Sequence, residues 1–306
     1  MDSWRRSPLF FWIISLPPVG WLVVFFLLPL SLIWLISFGE KRGIVDVALT
    51  WTLDNYARAM EPIYLEILLK SIVMAVAITV ICLVVAFPVA LLISFAPKRV
   101  KPWLLLLIVL PFWTNLLIRT YALIAVLRVR GYINFSLEWL WRQADGLLGF
   151  LGLGQYQLLG ARFEPLELLY NNFAVAFGLV YVFLPFMVLP LYAALERLDR
   201  SMIEASLDLG AGQVRTFFSV VVPMAAGGIV SGVIITFIPA LGSFLQPELL
   251  GGTDSQLIAN VIERQFKSAN DWPFGAALSF ILMYLTFFAL ALRSVLARGK
   301  SAMEAA

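Results

Sequence analysis

The residues of this chain that could do chemistry are few, and their types exclude most chemistries. Among 306 residues there is no histidine, and the single cysteine, Cys82, lies inside an apolar run. Imidazole acid/base catalysis and histidine metal ligation are therefore ruled out, and no disulfide can form within the chain. No glycine-rich loop ending in Gly-Lys-Ser/Thr is present, so nucleotide phosphates find no such cradle. No nucleophile stands in a cluster with a base, so an intramembrane enzyme is disfavoured, and no catalytic residue, metal site or bound cofactor is assigned. What remains is the chemistry of contact.

The clearest contact element is a polar stretch between two apolar runs, Glu204-Ala-Ser-Leu-Asp-Leu-Gly-Ala-Gly-Gln-Val-Arg-Thr-Phe-Phe-Ser-Val-Val-Val-Pro223. Ser201 precedes it where it can cap a helix, and Glu204 follows three residues later, the spacing of a capping box. Ile203 and Leu207 are four apart and share a face. Gly210 can take a left-handed turn, Ala211 and Gly212 follow, and Val214, Phe217 and Phe218 recur at helical spacing before Pro223. The pattern predicts a short helix, a glycine turn and a second helix. Two roles fit it. One is an amphipathic helix resting on a bilayer; the other is a rigid surface offered to a partner, for which glycines at 210 and 212 allow close backbone approach.

The elements that position this stretch follow from composition. Hydrophobic residues make up 61% and charged residues 13%, with a mean hydropathy of +0.92. A soluble domain is roughly a quarter charged, and a lipid-facing surface accounts for the deficit. Runs long enough to cross about 30 Å of hydrocarbon lie at 10–38, 68–95, 103–126, 173–195, 227–245 and 274–292. The expectation is an all-α polytopic membrane protein, one transmembrane domain over 1–306 with six spans and a polar loop at 196–226. Pro17, Pro18 and Pro29 in the first run, and Pro185 and Pro190 in the fourth, predict kinks. The first run follows Arg5 and Arg6, exceeds the roughly 7–15-residue core of an export signal and has no small-residue cleavage site, so it is expected to be a retained span.

Charge sets the orientation. With the N-terminus inside, the inner segments hold Arg5, Arg6, Lys98, Arg99, Lys101, Arg197, Arg200, Arg215, Arg293, Arg298 and Lys300. These 11 basic residues face 6 acidic ones, Asp2, Glu196, Asp199, Glu204, Asp208 and Glu304, whereas the outer segments and borders hold 11 basic and 13 acidic residues. Every charged residue of the turn Ala96-Pro-Lys-Arg-Val-Lys-Pro102 is basic. Both termini are thus expected inside. Basic residues in short clusters beside apolar runs indicate lipid contact and not nucleic acid. The outer stretches are then about 39–67, 127–172 and 246–273. Trp139 and Trp141, with Gly149, Gly152, Gly154 and Gly160, suit the middle one to interfacial helices and turns.

Polar residues within and beside the spans are candidates for a path. Asn115, Arg119 and Tyr121 fall near the outer half of the third run, with Asn115 and Arg119 on one helix face. Arg119 has three roles open to it: a gate or structural ion pair, snorkelling to headgroups, or solute contact. Ser231, Thr236 and Ser243 give the fifth run modest polarity, Gly228, Ser231 and Gly232 suit helix packing, and Pro239 with Gly242 predicts a bend. Glu248, Asp254, Asp271 and Trp272 lie beyond it, either as an acidic vestibule with aromatic walls or as ordinary solvated charges and an interfacial tryptophan.

The polar stretch resembles the cytoplasmic signature of the membrane permeases of ATP-binding-cassette importers: a Glu-Ala-Ala start, a glycine six positions on and an apolar-x-x-Pro ending. Glu204, Ala205, Gly210 and Pro223 match, and Ser206 replaces the second alanine. Two further segments are similar to the first permease of spermidine/putrescine importers, a group that also carries other small organic solutes. They are Pro111-Phe-Trp-Thr-Asn-Leu-Leu-Ile-Arg-Thr-Tyr-Ala122 with Gly131-Tyr-Ile-Asn134, and Pro239-Ala-Leu-Gly-Ser-Phe-Leu-Gln-Pro-Glu-Leu-Leu-Gly-Gly252.

The resemblance implies coupling helices, carried by Ser201, Ile203, Glu204, Ala205, Leu207, Gly210, Ala211, Phe217 and Pro223, that dock on an ATPase. It also implies a second, unlike permease, two cytoplasmic ATPase subunits that hold ATP and Mg, an external solute-binding protein and a bacterial inner membrane. A polyamine or similar cation would suit the acidic vestibule through charge attraction and cation-π contact, and would make Arg119 a poor direct contact. A membrane scaffold that recruits a cytoplasmic protein without transport is the competing class.

Overall fold

The computed structural model describes residues 8–43, 46–150 and 163–303. Gly152, Gly154 and Gly160, and the terminal charges Asp2, Arg5, Arg6 and Glu304, lie outside the described residues. The chain opens with α1 (Pro8–Leu22) and α2 (Leu28–Ile36), joined by a π-helical turn at Val23–Leu27. A hairpin of β1 (Gly39–Arg42) and β2 (Asp46–Leu49) leads to α3 (Asp54–Ala59) and to the 34-residue α4 (Pro62–Phe95). Next come α5 (Lys101–Val109), a 3-10 turn at Leu110–Trp113, α6 (Leu116–Leu127), α7 (Tyr132–Phe150) and α8 (Asn172–Leu195). The polar stretch folds as α9 (Arg200–Asp208), α10 (Gln213–Thr216), a second π-helical turn at Phe217–Val221 and α11 (Val222–Met224). After it stand α12 (Ala226–Leu241), α13 (Leu245–Leu250), α14 (Ile258–Lys267) and α15 (Trp272–Met303).

The protein is thus a polytopic helical membrane protein. Among the described residues three helices are long and apolar enough to cross a membrane, Trp12–Ile36, Pro62–Phe95 and Asn172–Leu195. The number rises to five if two bent pairs each count as one: Lys101–Trp113 with Leu116–Leu147, bent by 95°, and Gln213–Met224 with Ala226–Leu241, bent by 68°. Trp272–Phe288 is a further, shorter apolar helix.

The bends have local causes. Pro111 removes a backbone donor, Thr114 is extended, and the Asn115 side chain accepts the Leu117 amide at 2.8 Å, so a new helix starts there. The third apolar run is therefore broken helix, and Asn115 is a cap at the break. Both π-helical turns end two residues before a proline, Pro29 or Pro223, whose missing N–H leaves a carbonyl one turn back without its helical partner. The fifth run ends early: Gly242 closes α12, and Ser243 lies in the turn that follows.

The described residues fall into two compact units, Met1–Glu66 with Val261–Ala306, and Ile67–Asn260. In the first, the hairpin pairs Gly39 with Leu49 and Arg42 with Asp46, a small β element absent from the all-α expectation. Gly43, at φ +76°, makes its turn possible. Arg58 pairs with Asp271 at 2.8 Å and lies 3.9 Å from the centroid of the buried Phe274 ring. Asp271 also accepts the Phe274 amide at 3.3 Å, capping α15.

In the second unit α8 and α12 pack closely along their lengths. A Cβ on Gly228 would lie 2.5 Å from Ala194 Cβ, and one on Gly232 would lie 2.6 Å from Met187 Sδ, so only glycine lets the backbones approach this closely. The α4 helix buries Ala75, Ile78, Cys82, Ala86, Ala90 and Ile93, a face of mostly small residues at helical spacing. Asn260, fully buried, donates to the Phe244 carbonyl at 2.9 Å and to Glu248 Oε2 at 3.1 Å, tying the start of α14 to α13.

Candidate coupling site

Asp199 starts the polar stretch. Its backbone is extended and its Oδ1 accepts the Ser201 amide at 3.0 Å, making it the N-cap of α9. Ser201 therefore lies inside the first turn, and the expected Ser201–Glu204 capping box does not form. The ionised Asp199 side chain is the stronger acceptor and begins the helix two residues earlier. That backbone hydrogen bond, followed by one to the Ser201 side chain, lowers the Asp199 pKa.

The helix ends as the sequence expects. Gly210 has φ +84°, its amide donates to the Leu207 carbonyl at 2.9 Å, and the Ala211 amide donates to the Ser206 carbonyl at 3.1 Å. This double closure is a Schellman ending. Gly212, with ordinary extended geometry, then caps α10. Ser206 Oγ and Thr216 Oγ1 lie 3.0 Å apart and share a hydrogen bond, which holds α9 against α10. Phe217 is wedged edge-on between Phe87 of α4, at 5.1 Å, and Phe218, at 5.0 Å. The motif is thus bound to the second unit by Phe217, while Pro223 sits in the turn before the 68° bend.

The rest of the motif is presented outward. Ile203 is half-buried, whereas Glu204, Ala205 and Leu207 are exposed. Met202, Val214 and Phe218 are also exposed, and Leu209, at 89%, is almost fully so. The capped helix-turn-helix thus holds a set of apolar side chains uncovered by the rest of the chain, the kind of patch that suits contact with a partner or a bilayer. A Cβ at Gly210 or Gly212 would meet nothing within 4 Å in this chain. Met202, Leu209 and the Ser206–Thr216 bond escaped sequence reasoning, because exposure and cross-helix pairing depend on how the second helix folds back. The cap at Asp199 escaped it too, because Ser201 with Glu204 offered the spacing of a capping box.

The path candidates are carried by several elements, among them α6, α12 and α13. Asn115, Arg119 and Tyr121 all belong to the start of α6, where Tyr121 is exposed. Arg119 is half-buried, its Nε has no hydrogen-bond partner, and its guanidinium stands 5.9 Å from the Phe112 ring centroid. Ser231 donates to the Gly227 carbonyl at 2.9 Å, and Thr236 Oγ1 is buried without a partner. Ser243 donates to Gln246 Oε1 at 2.8 Å. Glu248 is exposed on α13, and the backbone carbonyl of the exposed Asp254 accepts from Lys70. Asp271 and the exposed Trp272 belong to the other unit, where the ion pair with Arg58 occupies the Asp271 carboxylate. Among the described residues no group of three metal-ligating side chains occurs.

Residues 71–301, which include the whole helix-turn-helix, match the binding-protein-dependent transport system inner membrane components. The chain belongs to this family. It is accordingly a permease of the ATP-binding-cassette importers, a multi-pass inner-membrane protein and a non-catalytic component, with ATP hydrolysis in a separate subunit. This permease is 42% identical over 264 residues to the spermidine/putrescine transport system permease protein PotB of Salmonella typhimurium (strain SL1344), covering 86% of this chain and 85% of that one. PotB of Escherichia coli (strain K12) is 41% identical over 264 residues, covering 86% and 89%. The inner membrane ABC transporter permease protein YdcU of the same organism is 31% identical over 297 residues, covering 93% and 90%. In fold the permease is similar to a chain of a bacterial ABC transporter that imports the acidic polysaccharide alginate, with a TM-score of 0.61, 15% identity and coverage of 95% and 96%.

Proposed function

We propose that this permease carries spermidine, putrescine or a related small organic cation into the cytoplasm, driven by an ATPase that docks on residues 196–226. The observation that carries the substrate class is the 42% identity to a spermidine/putrescine permease over 86% of the chain. Six spans, at about 10–38, 68–95, 103–126, 173–195, 227–245 and 274–292, place both termini in the cytoplasm, supported by the basic bias of the inner segments. The broken third run acts as a span with an internal bend, and the fifth span begins just after the 68° bend that follows Met224. A second, unlike permease, two ATPase subunits and an external binding protein complete the transporter.

The mechanism is conformational. ATP-driven closure of the ATPases draws the coupling helices together and changes the side to which the cavity opens, with no covalent chemistry on the solute. Ser201, Ile203, Glu204, Ala205, Leu207, Gly210, Ala211, Phe217 and Pro223 build or hold the docking element. Asn115, Arg119, Tyr121, Ser231, Thr236 and Ser243 line or gate the path, with Arg119 as a gate residue and not a cation contact. Glu248, Asp254 and Trp272 attract the cation at the outer mouth.

The test is reconstitution with the neighbouring transporter subunits, with binding-protein-dependent ATP hydrolysis and uptake measured for a panel of amines and organic anions. Stimulation by spermidine or putrescine is expected. Stimulation by an anion with none by polyamines would reject the substrate class, and unchanged uptake on deleting the chain would favour a scaffold.

A further inference from the structure

Away from the docking surface, one polar junction joins four chain segments: the end of α4, the start of α5, the end of α8 and the start of α9. Lys101 Nζ contacts Glu196 Oε2 at 2.6 Å and Oε1 at 2.7 Å. Arg200, the first residue of α9, donates to the Ser94 carbonyl at 3.3 Å and lies 4.8 Å from the Phe95 ring centroid. These residues, with Leu195 and Leu198, line a small cavity of about 40 Å³.

The charges of the ion pair oppose their own helices. Lys101 puts a cation at the N-terminus of α5, the positive end of that helix dipole, and Glu196 puts a carboxylate at the C-cap of α8, the negative end. Neither charge has a local reason for its place, and each is compensated by the other. Arg200 has the favourable arrangement, a cation on one of the last carbonyls of α4. A partly exposed pair adds little to stability. Its effect lies in what it ties together: the α4–α5 turn is fastened to the α8–α9 turn, and α9 is fastened to α4.

We infer that Lys101, Glu196 and Arg200 are positioning residues, a joint through which displacement of α9 moves α4 and α5 as well as α8. The inference rests on the proposed docking of an ATPase on α9. Without the joint, the motif would still dock and would still meet the middle of α4 where Phe217 packs on Phe87, but α9 would lose its hold on the end of α4, and the α8–α9 turn its hold on the start of α5.

The experiment compares Lys101→Glu, Glu196→Lys and the double exchange K101E/E196K in the full transporter, reconstituted with its binding protein. Each single reversal sets like charges against each other. The double exchange restores the pair and aligns both charges with their helix dipoles, so it is expected to fold at least as well as the parent. Three quantities are read: ATPase subunit co-purified, binding-protein-stimulated ATP hydrolysis, and spermidine imported per ATP hydrolysed. Each single reversal is expected to keep the ATPase and to lose about fivefold or more in spermidine per ATP, the lower range of an intersite coupling, and the double exchange to recover most of it. Single reversals with the parental ratio, or a double exchange as defective as the singles, would overturn the joint. Failure of the parent to hold the ATPase, or its release by Gly212→Trp having no effect on coupling, would instead reject the docking on which the inference rests.

Discussion

Two glycines two residues apart make a sharp test of the coupling motif, because the structure gives them different tasks. Gly210 has φ +84°, whereas Gly212 has φ −69° and caps α10, and neither would bring a Cβ within 4 Å of another part of the chain. Gly210→Ala therefore meets backbone strain alone, about 1–2 kcal/mol for a left-handed residue with a Cβ. Gly212→Ser meets none, supplies a preferred cap side chain and restricts the unfolded chain, so it is expected to be neutral or to stabilise by up to about 1 kcal/mol. The strain acts on the closure of α9, where the Ala211 amide bonds the Ser206 carbonyl at 3.1 Å. Local opening there is expected to rise by about 5–30-fold in Gly210→Ala, the factor that 1–2 kcal/mol represents. Amide exchange at Ala211 in the detergent-solubilised permease measures it. Equal exchange in the Gly210→Ala and Gly212→Ser variants would refute the left-handed turn as a source of strain. Bulk at 212 then isolates the partner: Gly212→Trp has room in this chain and is expected to abolish ATPase co-purification without removing the permease from the membrane. Full retention of the ATPase by that variant would show that no partner backbone approaches this turn.

Other perturbations follow from the same geometry. Glu204 takes no part in the cap, so Glu204→Ala is expected to leave exchange across α9 unchanged, and any fall in ATPase co-purification then reports an intersubunit contact; accelerated exchange would restore its capping role. Asp199 has a lowered pKa, so the protection it gives is complete above the unfolded value of about 4 and is lost as pH falls through the lower folded value. Exchange at Ser201, corrected for its intrinsic rate, should show that loss, and Asp199→Asn, which still caps, should not; identical profiles would exclude Asp199 as the titrating group. Gly228→Leu forces atoms into space where a Cβ already lies 2.5 Å from Ala194 Cβ, an overpacking expected to cost about 1–3 kcal/mol or more and to lower the yield of folded protein, whereas normal thermal stability would contradict the close α8–α12 approach. Asp271→Asn keeps the cap on α15 and is expected to retain uptake, while Asp271→Ala loses about 1 kcal/mol with the cap; loss of uptake in a folded Asp271→Asn permease would restore Asp271 as a solute contact.

The membrane class, the apolar runs and the helix-glycine-helix motif were legible because each is written in local pattern. Hydropathy over about 20 residues is set by partition between water and hydrocarbon, whatever the neighbours do. Gly210 was legible for a similar reason, since few residues other than glycine close a helix left-handed. The break at Asn115 was less so. Pro111 and Asn115 were visible, but apolar residues on both sides conceal a helix that stops and restarts. Ser243 was assigned to a span on hydropathy and lies in a turn, because Gly242 ends the helix before the apolar run ends.

Charges divided in the same way. Their distribution along the chain carries orientation, which depends on counts of lysine and arginine near span ends. Their partners do not appear in such counts. Arg58 meets Asp271 across 213 residues of sequence and Lys101 meets Glu196 across 95, and pairs so distant become neighbours only when helices pack. The chain's local chemistry was thus sufficient for a helical membrane protein with a helix-turn-helix between two apolar runs. Packing supplied what local chemistry could not: which apolar side chains of that motif stay open, which acidic residues are already paired, and which charges hold α9 to the neighbouring helices.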